Sequence, residues 1–420
     1  MCDFCSKKKP VRETLRIWPR LPIIVSGDVD DIEDVDHIVV ALEQCDRVRE
    51  INIDRYLTPD SLETVVSAML VPFPALKRLS LFAHEMEMPA PVPVIPNTFL
   101  GGSAPRLEFL DLYGIPFPAL PNLLLSTRDL VDLRLSNIRR SGSFLPEELV
   151  NSISELSRLE SLSLKFHSRR SCPVPETRSP PMARAVFPAL DQLCFEGVSE
   201  YLDDLVSRID TPLICLLYMT FFNQPFVTSD FCQLREFIGR AEKFKSLTHA
   251  HITFRFRTAE LSLLQQTQTV HAVLSVGILC KKLHPQLWSL AQVGSASLLP
   301  LSKVESLEIT SDLLKWQLHQ EHTEEDARWL NVLQPFSAVK NLYPQENTLP
   351  SLAYALNDVP EERVTEVLPA LQGLTMDEPL PPGPIDTPSP PAVQEAIERF
   401  IAMRRLPPAR VMPHNYWWGV

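Results

Sequence analysis

Few residues in this sequence are spaced for chemistry. Cys2-x-x-Cys5 has the spacing of a zinc or redox pair, but no second Cys-x-x-Cys or His-x-x-His accompanies it. A structural zinc site takes four ligands, so the two read as incidental thiols. His249-x-His251 sets two imidazoles on one face of a strand, because side chains two apart share a face. No third ligand lies near them in sequence, and they read as surface histidines. His319, Glu321, His322, Glu324 and Glu325 read as a solvated, charged insertion. Gly101-Gly102-Ser103 lacks the G-x-S-x-G of a nucleophile elbow, and no Walker A, dinucleotide or kinase signature is present. The expectation is a protein with no catalytic residues, no metal site and no cofactor: not an enzyme.

Composition narrows the partners. The formal charge of −12 arises from 40 basic and 52 acidic residues, which favours neither nucleic acid nor an anionic membrane. Glycine is scarce at 12 residues and proline abundant at 39. The longest apolar run, Pro212 to Phe222, is about half of what a membrane span needs. Cysteines at 2, 5, 45, 172, 194, 215, 232 and 280 read as free thiols of a reducing compartment rather than a disulfide framework. Met1 to Pro10 carries no apolar h-region, so the expected location is cytoplasmic, nuclear or both.

What must position any functional side chain is a short recurring phrase, L-x-x-L-x-L. It is plainest in Leu107-Glu108-Phe109-Leu110-Asp111-Leu112 and recurs from Leu76, Leu130, Leu159, Leu190 and Val304. Leucines at alternate places mark a strand with one buried face. The anchors from residue 76 to residue 190 lie 31, 23, 29 and 31 apart, which is leucine-rich-repeat spacing or slightly longer. The fold expected is therefore an α/β leucine-rich-repeat solenoid, a curved parallel sheet inside and helices outside, with irregular repeats of about 23–35 residues. The 420 residues show no clear break into two domains. An N-terminal cap or first unit is expected over 1–47, the solenoid over 48–378, a proline-rich linker over 379–391, and a capping helix with its tail over 392–420.

Helices are expected near 35–44, 61–70, 146–156, 200–209, 234–244, 285–297 and 325–332, and weaker strands at 213–220, 247–254, 274–280, 339–343 and 371–376. The strand near Leu274 divides the gap from Leu247 to Val304 into two repeat-sized steps. Phe-Pro-Ala-Leu, found at Phe73, Phe117 and Phe187, reads as the lead-in to the next strand, proline presetting an extended entry. Met86–Pro96 and Ser168–Met182 read as proline-rich excursions. Leu145-Pro146-Glu147-Glu148-Leu149 resembles the opening of an F-box but runs straight into the Leu159 phrase. It reads as a repeat helix with proline in its first turn.

Between the buried leucines, the alternate residues form a ladder on the concave face. It reads Arg78, Ser80, Phe82; Phe109, Asp111, Tyr113; Asp132, Arg134, Ser136; Ser161, Ser163, Lys165; Gln192, Cys194, Glu196. The phrases are most regular from 109 to 196, so the candidate protein-binding residues are Phe109, Asp111, Tyr113, Asp132, Arg134, Ser161, Lys165, Gln192 and Glu196. The mixture suits a protein or peptide target better than a small deep pocket; an ordinary solvated strand face is the alternative.

Longer strings carry a family resemblance. They include Pro10-Val11-Arg12-Glu13-Thr14-Leu15, Phe99-Leu100-Gly101-Gly102-Ser103-Ala104-Pro105-Arg106-Leu107 and Gly197-Val198-Ser199-Glu200-Tyr201-Leu202. Phe221-Phe222-Asn223-Gln224 and Glu242-Lys243-Phe244-Lys245-Ser246-Leu247 belong with them. Over most of its length the sequence resembles the leucine-rich-repeat region of the F-box-like proteins of basidiomycete fungi. The resemblance implies a non-enzymatic module that selects a partner, in many relatives joined to an upstream F-box that docks on an SCF ubiquitin ligase. This sequence begins about where an F-box would have ended, so contact with the SCF adaptor is implied only if an F-box lies upstream. A stand-alone scaffold or decoy without a ligase link is the alternative.

Overall fold

Many strands are entered through the same four-residue turn. The computed structural model describes residues 21–27, 32–83, 92–173, 183–223, 231–265, 272–280, 283–296, 298–311, 326–345, 348–357, 359–377 and 390–412, with Arg12 and Leu15. The Leu76 N–H donates to the Phe73 carbonyl at 3.2 Å, Leu107 to Ala104 at 3.1 Å, Leu159 to Leu156 at 3.2 Å and Leu190 to Phe187 at 3.4 Å. These are four-residue turns, and proline suits the second position because its φ is already set. Pro74 and Pro188 take that place, while Phe73, Leu76, Phe187 and Leu190 are buried. The copy at Phe117 departs from the expected lead-in. Its turn, Leu120 N–H to Phe117 carbonyl at 3.1 Å, opens a short helix, Leu120–Leu124.

The chain forms two compact units, Met1–Ile214 and Cys215–Val420. The sequence shows no such break because the leucine phrase continues at similar spacing on both sides of it. What changes is the order in which strands are laid down.

In the first unit the order follows the chain. Strands β1 (Ile23–Ser26), β2 (Val48–Leu57), β3 (Arg78–Ala83), β4 (Phe109–Tyr113), β5 (Asp132–Ile138), β6 (Ser161–Phe166) and β8 (Gln192–Gly197) pair in that sequence, all parallel. A separate two-stranded ladder joins β7 (Ala185–Val186) to β9 (Ile209–Asp210). Helices α1 (Ile32–Leu42), α2 (Pro59–Ala68), α3 (Leu120–Leu124), α4 (Pro146–Ile153) and α5 (Ser199–Ser207) lie between strands. Thr58 caps α2, its hydroxyl accepting the Ser61 N–H at 3.2 Å ahead of Pro59. The Glu148 carboxylate accepts the Leu145 N–H at 2.9 Å ahead of Pro146, so the Leu-Pro-Glu-Glu string is a repeat helix. Leu79, Leu110, Leu133, Leu162 and Leu193 stand in register and at most 1% exposed. Each contributes about 1.5–3 kcal/mol of burial to one apolar row.

In the second unit the order is β10 (Leu216–Phe222), β13 (Val273–Leu279), β12 (Thr258–Leu264), β11 (His249–Arg255), β14 (Ser306–Ser311), β15 (Asn341–Pro344), β16 (Gly373–Asp377) and β17 (Arg410–Met412). The segments 247–254 and 274–280 are strands, but they are not consecutive parallel repeats. An unanticipated strand, β12, runs antiparallel to both. The physical reason is the connection: only Phe256 and Arg257 link β11 to β12, whereas a parallel crossover takes a dozen or more residues. Helix α6 (Cys232–Arg240) precedes this meander and α7 (Leu283–Ser295) follows it. The Gln286 amide of α7 ties the meander's ends together, donating to the Arg255 carbonyl at 2.9 Å and the Cys280 carbonyl at 2.8 Å.

Helices α8 (Asp326–Leu333), α9 (Leu349–Asn357) and α10 (Pro390–Arg404) complete the unit. Val393, Ala396, Ile397, Phe400 and Ile401 of α10 are buried, and the Arg404 guanidinium donates to the Leu368 carbonyl at 2.8 Å. The chain then adds β17 beside β16, a strand within the expected C-terminal tail. Most of the segment 379–391 lies outside the described residues. Both units are leucine-rich-repeat stacks of the α/β class, the second interrupted by its meander.

Candidate protein-interaction face

Because the pairing in unit 1 is parallel and in register, residues between core leucines line up across strands. One row runs Glu50, Arg78, Phe109, Asp132, Ser161, Gln192, and the next runs Asn52, Ser80, Asp111, Arg134, Ser163, Cys194. Beyond them Phe82 stands beside Tyr113, Tyr113 beside Ser136, and Lys165 beside Glu196. All nine sequence-derived candidates therefore share one open face. Ser161 and Gln192 occupy its far end, Gln192 donating to the Cys194 sulfur at 3.4 Å.

The centre of the face is aromatic and cationic. The Arg78 guanidinium lies 4.1 Å from the centroid of the Phe109 ring and that of Arg134 lies 5.2 Å from it. Cations are drawn to the negative face of an aromatic ring. Arg134 also forks onto the Asp132 carboxylate, its Nε at 3.1 Å from Oδ1 and a terminal nitrogen at 2.7 Å from Oδ2. That is the bidentate geometry a planar guanidinium favours. Phe82 and Tyr113 stack with centroids 5.4 Å apart and planes 12° from parallel. Arg78 and Phe82 belong to the ladder but fell outside the candidate set. Their place in register was the signal that could have included them.

Strand faces are not fully solvated, and the carboxylates record it. Burial pushes the Asp111 carboxyl up to about 6 and Asp132 reinforces the shift, while Arg134 and Lys165 oppose it. Burial also raises Glu196, again opposed by Lys165. Asp111 is thus half-buried rather than the freely exposed position that alternation alone implies.

On the equivalent face of unit 2, polar side chains of the meander satisfy one another. Glu260 of β12 accepts from Ser275 at 2.7 Å, Ser262 at 3.1 Å and Arg255 at 2.8 Å. Burial there raises its pKa, but these three donors together outweigh it, and the net shift is downward. His251 Nε2 sits 2.8 Å from the Thr310 hydroxyl and 3.2 Å from that of Thr253. His249 lies 3.1 Å from the Thr248 hydroxyl. The two histidines thus share a face, each within hydrogen-bond distance of a threonine hydroxyl. Among the described residues, no group of three His, Cys, Asp or Glu side chains is placed to hold a metal ion.

Other residues singled out by spacing fall elsewhere. Cys2, Cys5 and the cluster from His319 to Glu325 lie outside the described residues. Gly101 and Gly102 adopt positive φ of 67° and 76° in a tight turn. A side chain at Gly101 would meet Pro72 at 2.6 Å, so Gly101 serves a close approach and both glycines serve the turn. Cys45, Cys172, Cys194, Cys215, Cys232 and Cys280 are free thiols. No helix among the described residues is long and apolar enough to cross a membrane.

No family model matches the chain, and no curated protein matches it. Among solved structures, the leucine-rich-repeat-containing protein LegL7 from Legionella pneumophila is similar at a TM-score of 0.30 and 10% identity, covering 85% of this chain and 90% of that one. So slight a likeness carries no weight, and the fold assignment rests on the strand register.

Proposed function

We propose that the chain is a non-enzymatic protein–protein interaction module whose binding surface is the open face of β3 to β8. The observation that supports this most is the Phe109 ring held between Arg78 and Arg134, beside the Phe82–Tyr113 stack. Aromatic and arginine side chains are the types that dominate protein interfaces. A repeat stack also offers them on an extended surface. Panning a random peptide library against the purified protein tests the reading. Binders should be recovered, and the double variant Phe109→Ala, Tyr113→Ala should lose them while keeping its thermal midpoint. Recovering none, or binders indifferent to both substitutions, contradicts it.

The cellular role in this reading, if an F-box lies upstream, is substrate recognition for an SCF-type ubiquitin ligase. The resemblance of the strings quoted above to those of fungal F-box-like proteins is its support. Co-purification of the endogenous product with the SCF adaptor subunit is the test. A product that never associates leaves a stand-alone scaffold.

A further inference from the structure

The charged side chains on the open face of unit 1 are layered by sign. Arg78, Arg134 and Lys165 are exposed, whereas Glu50, Asp111, Asp132 and Glu196 are half-buried at the level of the sheet. Side-chain length explains this in part: long basic side chains stand above a pleated surface on which short carboxylates lie low. The Arg134 fork is occupied by Asp132. Arg78 makes no hydrogen bond or ion pair to another described residue, only its contact with the Phe109 ring. Lys165 is within electrostatic reach of Asp111 and Glu196 but pairs directly with neither. An approaching chain therefore meets two unclaimed cations first, on a protein whose overall charge is −12.

We propose that this face takes an extended acidic peptide segment of a partner protein, its carboxylates meeting Arg78 and Lys165 and an apolar side chain resting on the Phe82–Tyr113 stack beside them. The proposal rests on the interaction reading above and adds the chemistry of the partner. Arg78 and Lys165 lie three strands apart and four residues apart along the strands. At about 4.8 Å per strand and about 3.3 Å per residue the separation is roughly 20 Å, or about six extended residues. Attraction must be local, because net charge opposes an acidic partner while screening confines charge effects to about 8 Å at physiological ionic strength. The raised pKa of Asp111 acts in the same direction, since a carboxylate that takes up a proton as pH falls repels an acidic segment less.

The test uses the full chain and three labelled octapeptides read by fluorescence anisotropy: one of Glu and Asp with a central Leu, its Lys counterpart, and a Gly-Ser control. The acidic peptide should bind, weaken at least tenfold from 0.05 to 0.5 M salt, and weaken at least tenfold in the double variant Arg78→Gln, Lys165→Gln. The double variant Arg128→Gln, Arg158→Gln, which removes the same charge from exposed turns ahead of β5 and β6, should change it less than twofold. Library binders should be enriched in Asp and Glu. Preference for the Lys peptide, equal effects of the two double variants, or library binders at this face without acidic enrichment overturns the proposal, the last leaving the interaction reading intact. Failure of every peptide, library members included, overturns both.

Discussion

In unit 1 every strand of the main sheet lies beside its predecessor and runs parallel to it, whereas in unit 2 three strands double back as an antiparallel meander between β10 and β14. Both arrangements bury the same alternation of apolar residues: Leu110 and Leu112 in β4, Ala259, Leu261 and Leu263 in β12. Burial by alternate residues therefore does not set strand direction. Connection length does, and a two-residue link leaves only the hairpin. The faces differ as a result. In unit 1 the basic Arg78 and Lys165 stand exposed without a carboxylate partner among the described residues, whereas in the meander of unit 2 serines, threonines and histidines from neighbouring strands satisfy one another and Glu260.

The largest effect expected from breaking this contrast is on β12. Ser262→Pro removes a ladder hydrogen bond from a strand paired on both sides, a place proline does not occupy, and should destabilise the meander more than any substitution below. Hydrogen exchange should show protection lost in β11, β12 and β13; unchanged protection there would mean that 258–264 is a loop.

Next is Glu260→Ala, which strands Ser262, Ser275 and Arg255 and should cost about 1–3 kcal/mol at neutral pH. The folded pKa is lowered, so this stabilisation is present above the ordinary value of 4.5 and is lost as pH falls below it. Wild type and variant should therefore converge in acid, as followed by denaturant midpoints. A gap that persists or widens below pH 4 speaks against the donor network.

Asp111→Asn should act in the opposite direction. A carboxyl whose folded pKa is raised from 3.8 to about 6 costs nothing below the lower value, progressively more between the two, and its full penalty above. The variant should be more stable by on the order of 1–2 kcal/mol above pH 6, after allowance for solvent screening, and equal to wild type near pH 3.5. Destabilisation at pH 7.5 would mean the ionised carboxylate is needed by the fold.

The smallest effect belongs to Arg78→Gln and Lys165→Gln, which should each shift stability by no more than about 0.5 kcal/mol as exposed positions. A larger loss in thermal melts would make them structural rather than available to a partner.

Unit 1 was legible because one leucine phrase decides strand, register and face together. Once Leu79, Leu110, Leu133, Leu162 and Leu193 align, the residues between them must align too. Helices were legible where a cap or a first-turn proline marked their start, as at Thr58-Pro59 and Pro146. Strand β12 was hidden although Ala259, Leu261 and Leu263 alternate, because the repeat period claimed its neighbours first. Helix α9 was missed despite Leu349, Leu352, Ala353 and Leu356 at helical spacing. Within the candidate site, position in the ladder was readable but depth was not. Alternation gives Asp111 and Arg134 the same standing, while side-chain length leaves one half-buried and the other exposed. The orientation of Arg78 and Arg134 about Phe109 depends on neighbours three strands wide and has no signature in any single segment.

The most direct measurement places a photo-crosslinking phenylalanine analogue at Tyr113, in the open face of unit 1, or at Tyr218, in the face of unit 2, and presents library-selected peptides to each. Crosslinks should form at position 113, be lost when Phe109 is changed to Ala, and be absent at position 218. Crosslinks confined to position 218, or equal at the two positions, would contradict the assignment of binding to the face of unit 1.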